Sequence, residues 1–185
     1  MRLLYVVTED WYFLSHRLPM ARAARDAGFE VHVATRVVDG GDAIRAEGFT
    51  LHPVPFVRGR ISPFGSIATV LALRAIHRAI DPAIAHHVSL QSAVLGSLAA
   101  LGRGTSAVNA LTGLGYALIS RSLKATLLRP LMGILLRLLL NRDGQVVLVQ
   151  NADDRDGVLA LGIDAKRIAN SPYAHTRCRG LSPDG

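Results

Sequence analysis

The sequence predicts an α/β protein with one parallel β-sheet and helices on both of its faces. Short apolar runs rich in β-branched residues alternate with longer segments whose apolar residues recur every three or four positions. Strands that alternate with helices form parallel sheets through right-handed crossovers. The length of 185 residues, half of them hydrophobic, is enough for a single such domain.

Three strands are predicted in the first part of the chain. They cover residues 2–8, 30–34 and 50–54, and Pro53 indicates that the third strand lies near an edge of the sheet. A helical pattern follows the first strand, with Pro19 in its first turn and Gly28 at its end.

Three more strands are predicted at residues 83–86, 106–110 and 145–149. A helix that ends before residue 81 and a small-residue helix at 90–101 come before and after the first of them. A segment rich in leucine and arginine precedes the last. We therefore expect a single Rossmann-like domain over residues 1–168.

The chain has a formal net charge of +7, much of it in two basic stretches. The residues expected to contact a membrane are Arg58, Arg60, Arg121, Lys124 and Arg129. A basic helix rich in leucine suits anionic headgroups or a lipid-linked phosphate, whereas the alternative is a core helix with solvated arginines. Aromatic residues are few, which argues against nucleic acid as a partner.

The sequence favours a reducing compartment. Cys178 is the only cysteine, so no internal disulfide can form, and the start of the chain is a poor signal peptide. The longest apolar segment, residues 127–140, contains Arg129, Pro130 and Arg137 and is too interrupted to cross a bilayer. We expect a cytoplasmic protein that is at most peripheral on the inner face of the plasma membrane.

In an open parallel sheet, ligands bind in the crevice at the carboxyl ends of the strands. The loop after the first predicted strand leads to Ser15, His16 and Arg17. We expect His16 and Arg17 near the start of the first helix and facing the crevice, where positive groups and free amides could meet an anionic substrate. This loop lacks the glycine pattern that contacts a dinucleotide pyrophosphate, which disfavours a nucleotide-binding oxidoreductase. An ordinary amphipathic helix remains the alternative interpretation.

Two adjacent histidines, His86 and His87, are expected at the rim of the crevice after the fourth predicted strand. Side chains alternate along an extended segment, so one imidazole should point inward and could accept a proton from an attacking hydroxyl. Both could equally be polar rim residues. No further histidine, cysteine or carboxylate lies at ligand spacing, so we expect neither a metal site nor a cofactor.

A glycine loop follows the fifth predicted strand. Thr112, Gly113 and Gly115 would let backbone amides approach a ligand oxygen closely, although glycines also form simple turns. After the sixth strand, Asn151 is suited to cap a helix.

Four of these segments, taken together, resemble a known family. Residues 13–19, 27–34, 81–87 and 111–116 occur in an order similar to that in the N-terminal half of family-4 glycosyltransferases. The nearest resemblance is to bacterial enzymes that extend lipid-linked oligosaccharides for surface polysaccharides. It covers about residues 1–168.

The resemblance implies a GT-B architecture, in which two Rossmann-like domains face each other across a cleft. This half would bind a lipid-linked saccharide acceptor and the other half a sugar nucleotide, the co-substrate that donates a hexose without a metal and with retention of configuration. The resemblance further implies that Ser15, His16 and Arg17 face the cleft, that His87 lies near the acceptor hydroxyl, and that residues 112–115 line the floor near the donor phosphate.

The chain departs from the family in three places. Residues 10–12 stand where many relatives have paired glycines, and no histidine follows the fifth strand. The donor half of the family carries two glutamates eight positions apart, and here Glu9, Glu30 and Glu47 are the only glutamates. We therefore expect an acceptor half that is incomplete without a separate donor half. Residues 169–185 are expected to form an irregular or disordered tail, which suggests a truncated reading frame.

Two classes of function remain open. The chain is either the acceptor half of a glycosyltransferase, active with a separately encoded donor half, or a non-catalytic remnant that binds a glycan or a membrane surface. Turnover of a sugar nucleotide with an added donor half separates them. Tight binding of NAD would favour the oxidoreductase instead.

Overall fold

The computed structural model describes residues 1–57, 63–111 and 133–170. Seven parallel strands form one sheet. The strands are β1 (Arg2–Glu9), β2 (Glu30–Arg36), β3 (Thr50–Pro53), β4 (Ile84–Val88), β5 (Ser106–Ala110), β6 (Gln145–Val149) and β7 (Ile168–Asn170). The described helices are α1 (Asp10–His16), α2 (Leu18–Asp26), α3 (Gly41–Ala46), α4 (Pro63–Ile80), α5 (Leu90–Ala99), α6 (residues 133–140) and α7 (Ala152–Ala160), followed by a short 3-10 helix at Ala165–Arg167.

The strand order is β3-β2-β1-β4-β5-β6-β7. The chain builds outward from β1 in one direction to β3 and then returns to the other side of β1 with β4. The order therefore reverses between β1 and β4, and a crevice opens at the carboxyl ends of these two strands. This is the Rossmann-like α/β fold that the sequence predicts.

The core lies on both faces of the sheet. On one face, Tyr5 and Val7 of β1 pack with Phe13 of α1 and Ala21 of α2. On the other face, Leu4 and Val6 pack against α4 and α5. Nearer to β6, residues of α5 pack with residues of α6 and α7. Side chains that alternate along β1 thus fill two separate layers.

The first helical segment is divided into two helices. α1 begins directly after β1, and α2 starts at Leu18 with Pro19 in its first turn, where a missing N–H costs no hydrogen bond. His16 and Arg17 therefore lie at the junction of the two helices, where His16 ends α1 and Arg17 directly precedes the first residue of α2.

β4 and β7 differ from the sequence prediction. β4 extends to Val88 because Val7 of β1 and Ala110 of β5 both pair with it. His86 and His87 are consequently part of the strand and not of the loop after it. β7, a strand that the polar sequence after residue 168 did not predict, pairs with β6 through Asn170.

Candidate functional site

A cleft of about 210 Å³ opens at the carboxyl edge of the sheet, beside the end of β1. Its walls come from the end of β1, the first turn of α1, the segment after β3 and the first turn of α5. Polar and aromatic residues and one valine line it, namely Thr8, Glu9, Trp11, Tyr12, Phe56, Val57 and Gln91. This is the edge at which doubly wound sheets bind their ligands.

Glu9 brings a nearly buried carboxylate to this cleft. Arg36 at the end of β2 donates to Glu9 Oε2 from Nη2 at 2.8 Å and from Nε at 3.2 Å. The side chain of Glu9 is 8% exposed and that of Arg36 is 37% exposed. The ion pair holds the carboxylate in place and balances its charge.

Asp10 fixes the loop that follows β2. Its Oδ2 accepts hydrogen bonds from the backbone N–H groups of Val38, Asp39 and Gly40 at 2.7, 3.1 and 2.8 Å, and its Oδ1 accepts one from Trp11 at 2.8 Å. Burial opposes the charge of Asp10, but these four donors outweigh it and lower the pKa of the carboxyl. Asp10 therefore has a structural role.

A stack of rings connects the cleft to two of the predicted binding residues. Trp11 meets Tyr12 edge to face at 5.6 Å, and Tyr12 stacks on His16 at 4.3 Å with an interplanar angle of 9°. His16 Nδ1 lies 2.7 Å from Ser15 Oγ, which donates to the Trp11 carbonyl at 2.7 Å. Ser15 and His16 are exposed at the surface next to the cleft.

Arg17 lies close to Tyr5 and His86 on the α1 face of the sheet. His86 stacks on Tyr5 at 5.2 Å, and burial, the charge of Arg17 and the neighbouring His87 lower the pKa of His86 to about 3. Burial raises the pKa of Tyr5 to about 12, although Arg17 opposes this shift. The buried Nε of Arg17 and Nε2 of His86 have no hydrogen-bond partner among the described residues. Arg17 forms no ion pair with a carboxylate of the described residues.

His87 points to the opposite face and is completely enclosed. Its Nδ1 lies 2.8 Å from Asn109 Oδ1, and Asn109 Nδ2 donates to Gln145 Oε1 at 3.0 Å. Gly96 of α5 covers the other side of the imidazole. Burial lowers the pKa of His87 to about 4, although the Asn109 bond opposes this. The row His87, Asn109 and Gln145 joins three adjacent strands inside the core.

The expected position of the two histidines at the crevice rim is therefore wrong. His86 is 5% exposed and His87 has no exposed surface. Because consecutive residues of a strand point to opposite faces, the extension of β4 places one histidine in each core layer. His87 as the group that takes a proton from the acceptor stays a prediction, and its enclosure beneath α5 does not favour direct contact with a substrate.

Several predicted residues lie outside the described part of the chain. Thr112, Gly113 and Gly115 are among them, and so are the membrane-contact candidates Arg58, Arg60, Arg121, Lys124 and Arg129. Asn151 caps α7 as expected, because its Oδ1 accepts a hydrogen bond from the Asp154 N–H at 2.7 Å.

The sequence did not identify the residues that form the cleft itself. Glu9 is the last residue of the apolar strand β1, Trp11 lies in the first turn of α1, and Gln91 lies in the first turn of α5. At such positions polar and aromatic side chains can reach a ligand. Phe56 could not have been assigned, because no local pattern indicates that the segment after β3 turns back over the crevice. In the part of the chain that the structure describes, no three metal-binding side chains cluster. No described helix has both the length and the hydropathy to span a bilayer.

Comparison with solved structures supports the fold. The sucrose-phosphate synthase of Thermosynechococcus elongatus superposes with a TM-score of 0.67 at 12% identity, over 92% of this chain and 47% of that protein. Anabaena HepE, solved with UDP-glucose, gives 0.63 at 13% identity over 92% and 43%. Acinetobacter baumannii MurG gives 0.59 at 11% identity over 92% and 44%. The chain thus spans less than half the length of each of these proteins.

The sequence itself matches a family. No curated protein matches the chain significantly. Residues 2–151 match the glycosyl transferase 4-like family, and this range includes β1 to β6, the cleft and both buried histidines. With its Rossmann-like sheet of the kind found in GT-B glycosyltransferases, the chain belongs to the glycosyl transferase 4-like family.

Proposed function

We propose that this chain is the acceptor-binding half of a glycosyltransferase that transfers a hexose from a sugar nucleotide to a lipid-linked saccharide in surface polysaccharide synthesis. The family match and the GT-B-type sheet support the reaction class. HepE was solved with UDP-glucose, and a Streptomyces glycosyltransferase that also superposes was solved with thymidine diphosphate. A sugar nucleotide is therefore the co-substrate that we propose for the complete enzyme.

The observation that carries this proposal is the open cleft at the carboxyl edge of the sheet. It combines a carboxylate, a hydroxyl, an amide and aromatic rings in about 210 Å³. The cleft and the end of α1 would face a donor-binding half, so that an acceptor hydroxyl held here could attack the anomeric carbon of the donor while the diphosphate leaves. Thr112 to Gly115 are proposed to stabilise the leaving diphosphate through their amides.

Arg17 supports the proposal that the acceptor carries a phosphate. Its guanidinium lies beside Tyr5 and His86 without a carboxylate partner among the described residues. An arginine that is partly buried and lacks a counterion suits a phosphate group, which can accept several of its N–H donors. Ser15 and His16 at the adjacent surface would complete this contact.

Two exposed apolar pairs support contact with a membrane. Ile67 and Leu71 lie one turn apart on α4 and are 57% and 61% exposed, and Ile134 and Leu138 on α6 are 57% and 66% exposed. Apolar side chains next to basic stretches are typical of surfaces that touch anionic lipid. We propose peripheral binding to the cytoplasmic leaflet, with Arg58, Arg60, Arg121, Lys124 and Arg129 at the headgroups.

His87 remains the proposed proton acceptor, but in the position that the structure shows it supports the core beneath the site. Its imidazole is enclosed by α5 and fixed by Asn109. A proton could move to it from an acceptor hydroxyl only if α5 were displaced.

The test combines the chain with the donor-binding half of a related family member. The mixture is given UDP-glucose and a polyprenyl-diphosphate-linked monosaccharide, and the glycolipid product is measured by mass spectrometry. We expect transfer with both halves, none with either half alone, and at least a ten-fold loss with Arg17→Ala, while Arg45→Ala on the exposed face of α3 is the control.

Binding without transfer would favour the second class of function. The matching measurement is co-flotation of the chain with vesicles of phosphatidylglycerol and phosphatidylcholine, compared with phosphatidylcholine alone. Flotation with anionic vesicles but no product with donor halves from several family members would indicate a non-catalytic binding module. No flotation would overturn the proposed membrane contact.

A further inference from the structure

We propose that the cleft beside β1 is a sugar subsite, in which the indole of Trp11 stacks on one face of a sugar ring and Glu9 accepts hydrogen bonds from its hydroxyls. The inference rests on the proposed function, because it assigns the saccharide part of the acceptor to particular side chains. None of these side chains was among the binding residues expected from the sequence.

The lining of the cleft matches the two chemistries of a sugar ring. Trp11, Tyr12 and Phe56 provide aromatic surface, and Glu9 and Gln91 provide polar groups. A pyranose presents C–H groups on its faces and hydroxyls around its rim. The electron-rich face of an aromatic ring attracts such C–H groups, while carboxylate and amide groups bond the hydroxyls. A cleft of about 210 Å³ has room for one ring.

Glu9 is a ready acceptor whose charge is already balanced. Arg36 uses only Oε2 of the carboxylate, and Oε1 has no hydrogen-bond partner among the described residues. Because Arg36 neutralises the pair, the cleft does not require a charged ligand. A neutral polyol therefore fits better than a phosphate, because Oε1 needs a hydrogen-bond donor, which a hydroxyl supplies and an ionised phosphate oxygen does not.

Trp11 is held in place before any ligand arrives. Its indole is 49% exposed, yet Tyr12 supports it edge to face at 5.6 Å, and Tyr12 itself stacks on His16 at 4.3 Å. The first turn of α1 is further fixed by Asp10, whose Oδ1 accepts a hydrogen bond from the backbone N–H of Trp11. A ring that is already oriented loses little conformational entropy on binding.

Other small ligands fit less well. A lipid chain would leave Glu9 and Gln91 without partners in a dry site, which is costly. A phosphate would face the carboxylate of Glu9. The sugar ring is the class that uses both the aromatic and the polar walls.

The chain provides its own probe of this cleft, because Trp11 is its only tryptophan. We would titrate the purified chain with methyl α-D-glucopyranoside, methyl α-D-galactopyranoside and N-acetylglucosamine, and measure quenching of tryptophan fluorescence by acrylamide. At least one sugar should reduce the quenching constant about two-fold at saturation, whereas glycerol and inorganic phosphate should not. If none of the three sugars protects Trp11, the subsite is overturned.

Variants locate the site independently of fluorescence. Saturation-transfer difference NMR with the bound sugar should show about ten-fold weaker binding for Trp11→Ala and for Glu9→Gln. Leu159→Ala, which removes a partly exposed apolar side chain on α7, should bind as the native chain does. Far-UV circular dichroism checks that the variants are folded.

The two proposals fail in different ways. If the Trp11→Ala and Leu159→Ala chains bind sugar equally well, the subsite lies elsewhere, and the acceptor-binding function is untouched. If sugar binding depends on Trp11 but no donor half yields product, the subsite stands and the glycosyltransferase activity fails.

Discussion

Asn109 Oδ1 lies 2.8 Å from Nδ1 of the enclosed His87, at paired positions of β5 and β4. Asn109 also donates to Gln145 Oε1 at 3.0 Å and to the Val146 carbonyl at 3.3 Å. A single amide thus satisfies polar groups of two neighbouring strands within the core. Buried groups of this kind are costly when they lose their partner.

Replacing Asn109 should therefore destabilise the fold. We expect Asn109→Ala to lower the free energy of unfolding by about 2–4 kcal/mol, because His87 and Gln145 lose their partner in the core. Urea unfolding followed by circular dichroism measures this. Ser106→Ala at the exposed start of the same strand should change it by less than about 0.5 kcal/mol. Equal effects of the two substitutions would contradict a stabilising role of the polar row.

Gly96 of α5 should not tolerate a methyl group. A Cβ at this position would come within 2.4 Å of His87 Nε2 and 2.6 Å of Cδ2. Alanine normally stabilises a helix interior by up to about 1 kcal/mol relative to glycine. Here we expect Gly96→Ala to destabilise the protein by about 1–3 kcal/mol, because the imidazole is held by Asn109 and cannot retreat.

A double variant distinguishes this clash from other effects of alanine. If the clash with His87 is the cause, His87→Ser should cost less stability in the Gly96→Ala background than in the native chain. Gly104→Ala, where no atom lies within 4 Å of the added Cβ, is the control. Additive effects in thermal or urea unfolding would show that Gly96 and His87 are not coupled.

The buried histidines should make the protein sensitive to acid. The pKa of His77 is lowered to about 4, mainly by burial and further by His87 and Arg103, while Asp81 opposes the shift. Burial also lowers the pKa of His87 to about 4. The unfolded chain takes up these protons near pH 6.5, but the folded chain does not. The free energy of unfolding is therefore not reduced by these histidines above pH 6.5. As the pH falls from 6.5 towards 4, it decreases by up to about 1.4 kcal/mol per pH unit for each histidine.

Unfolding in urea at several pH values between 4 and 7 tests this slope. His77→Leu should reduce the slope by about one proton, because it removes a buried titratable group whose ring nitrogens have no partner within residues 1–57, 63–111 and 133–170. Ser97→Ala removes a buried hydroxyl from α5 but no titratable group, so it should leave the slope unchanged. An unchanged slope in His77→Leu would contradict the prediction.

Asp10 should control the loop after β2. We expect Asp10→Ala to cost about 2–3 kcal/mol, because four backbone N–H groups lose their acceptor. Hydrogen exchange at Val38, Asp39 and Gly40 should accelerate most. Since the pKa of Asp10 is lowered in the fold, its contribution is present above the unfolded pKa of about 3.9 and is lost as the pH falls through the folded value.

Asp42 on α3 provides a matched control for Asp10. Its carboxylate is fully exposed and pairs with Arg45 at 3.0 Å. Asp42→Ala should change stability by less than about 0.5 kcal/mol and leave the exchange of residues 38–40 as it is. Comparable losses in both variants would argue against the role of the four N–H bonds.

The sequence predicted the sheet well where the pattern was local. β5 and β6 were predicted at their observed bounds, since each is a short apolar run set off by glycine or polar residues. The extension of β4 could not be predicted, because it depends on pairing with β1 and β5. β7 has only three residues, too few for a periodic pattern.

The edge that carries the site could also be predicted, but not its chemistry. The crevice at the carboxyl ends follows from the alternation of strands and helices. Whether His86 and His87 reach it depends on where β4 ends. The cleft depends on the approach of Phe56 to Trp11, which the local sequence does not encode.

The central position of β1 has a consequence for synthesis of the protein. Of the described strands β1 is synthesised before the others, and β2 can pair with one of its edges soon afterwards. Its other edge must wait for β4, which is made only after α3, β3 and α4. During that interval one edge of the apolar strand β1 is unpaired. Unpaired strand edges are prone to association with other chains. A nascent chain that pauses before β4 is thus the stage at which this protein most needs a chaperone.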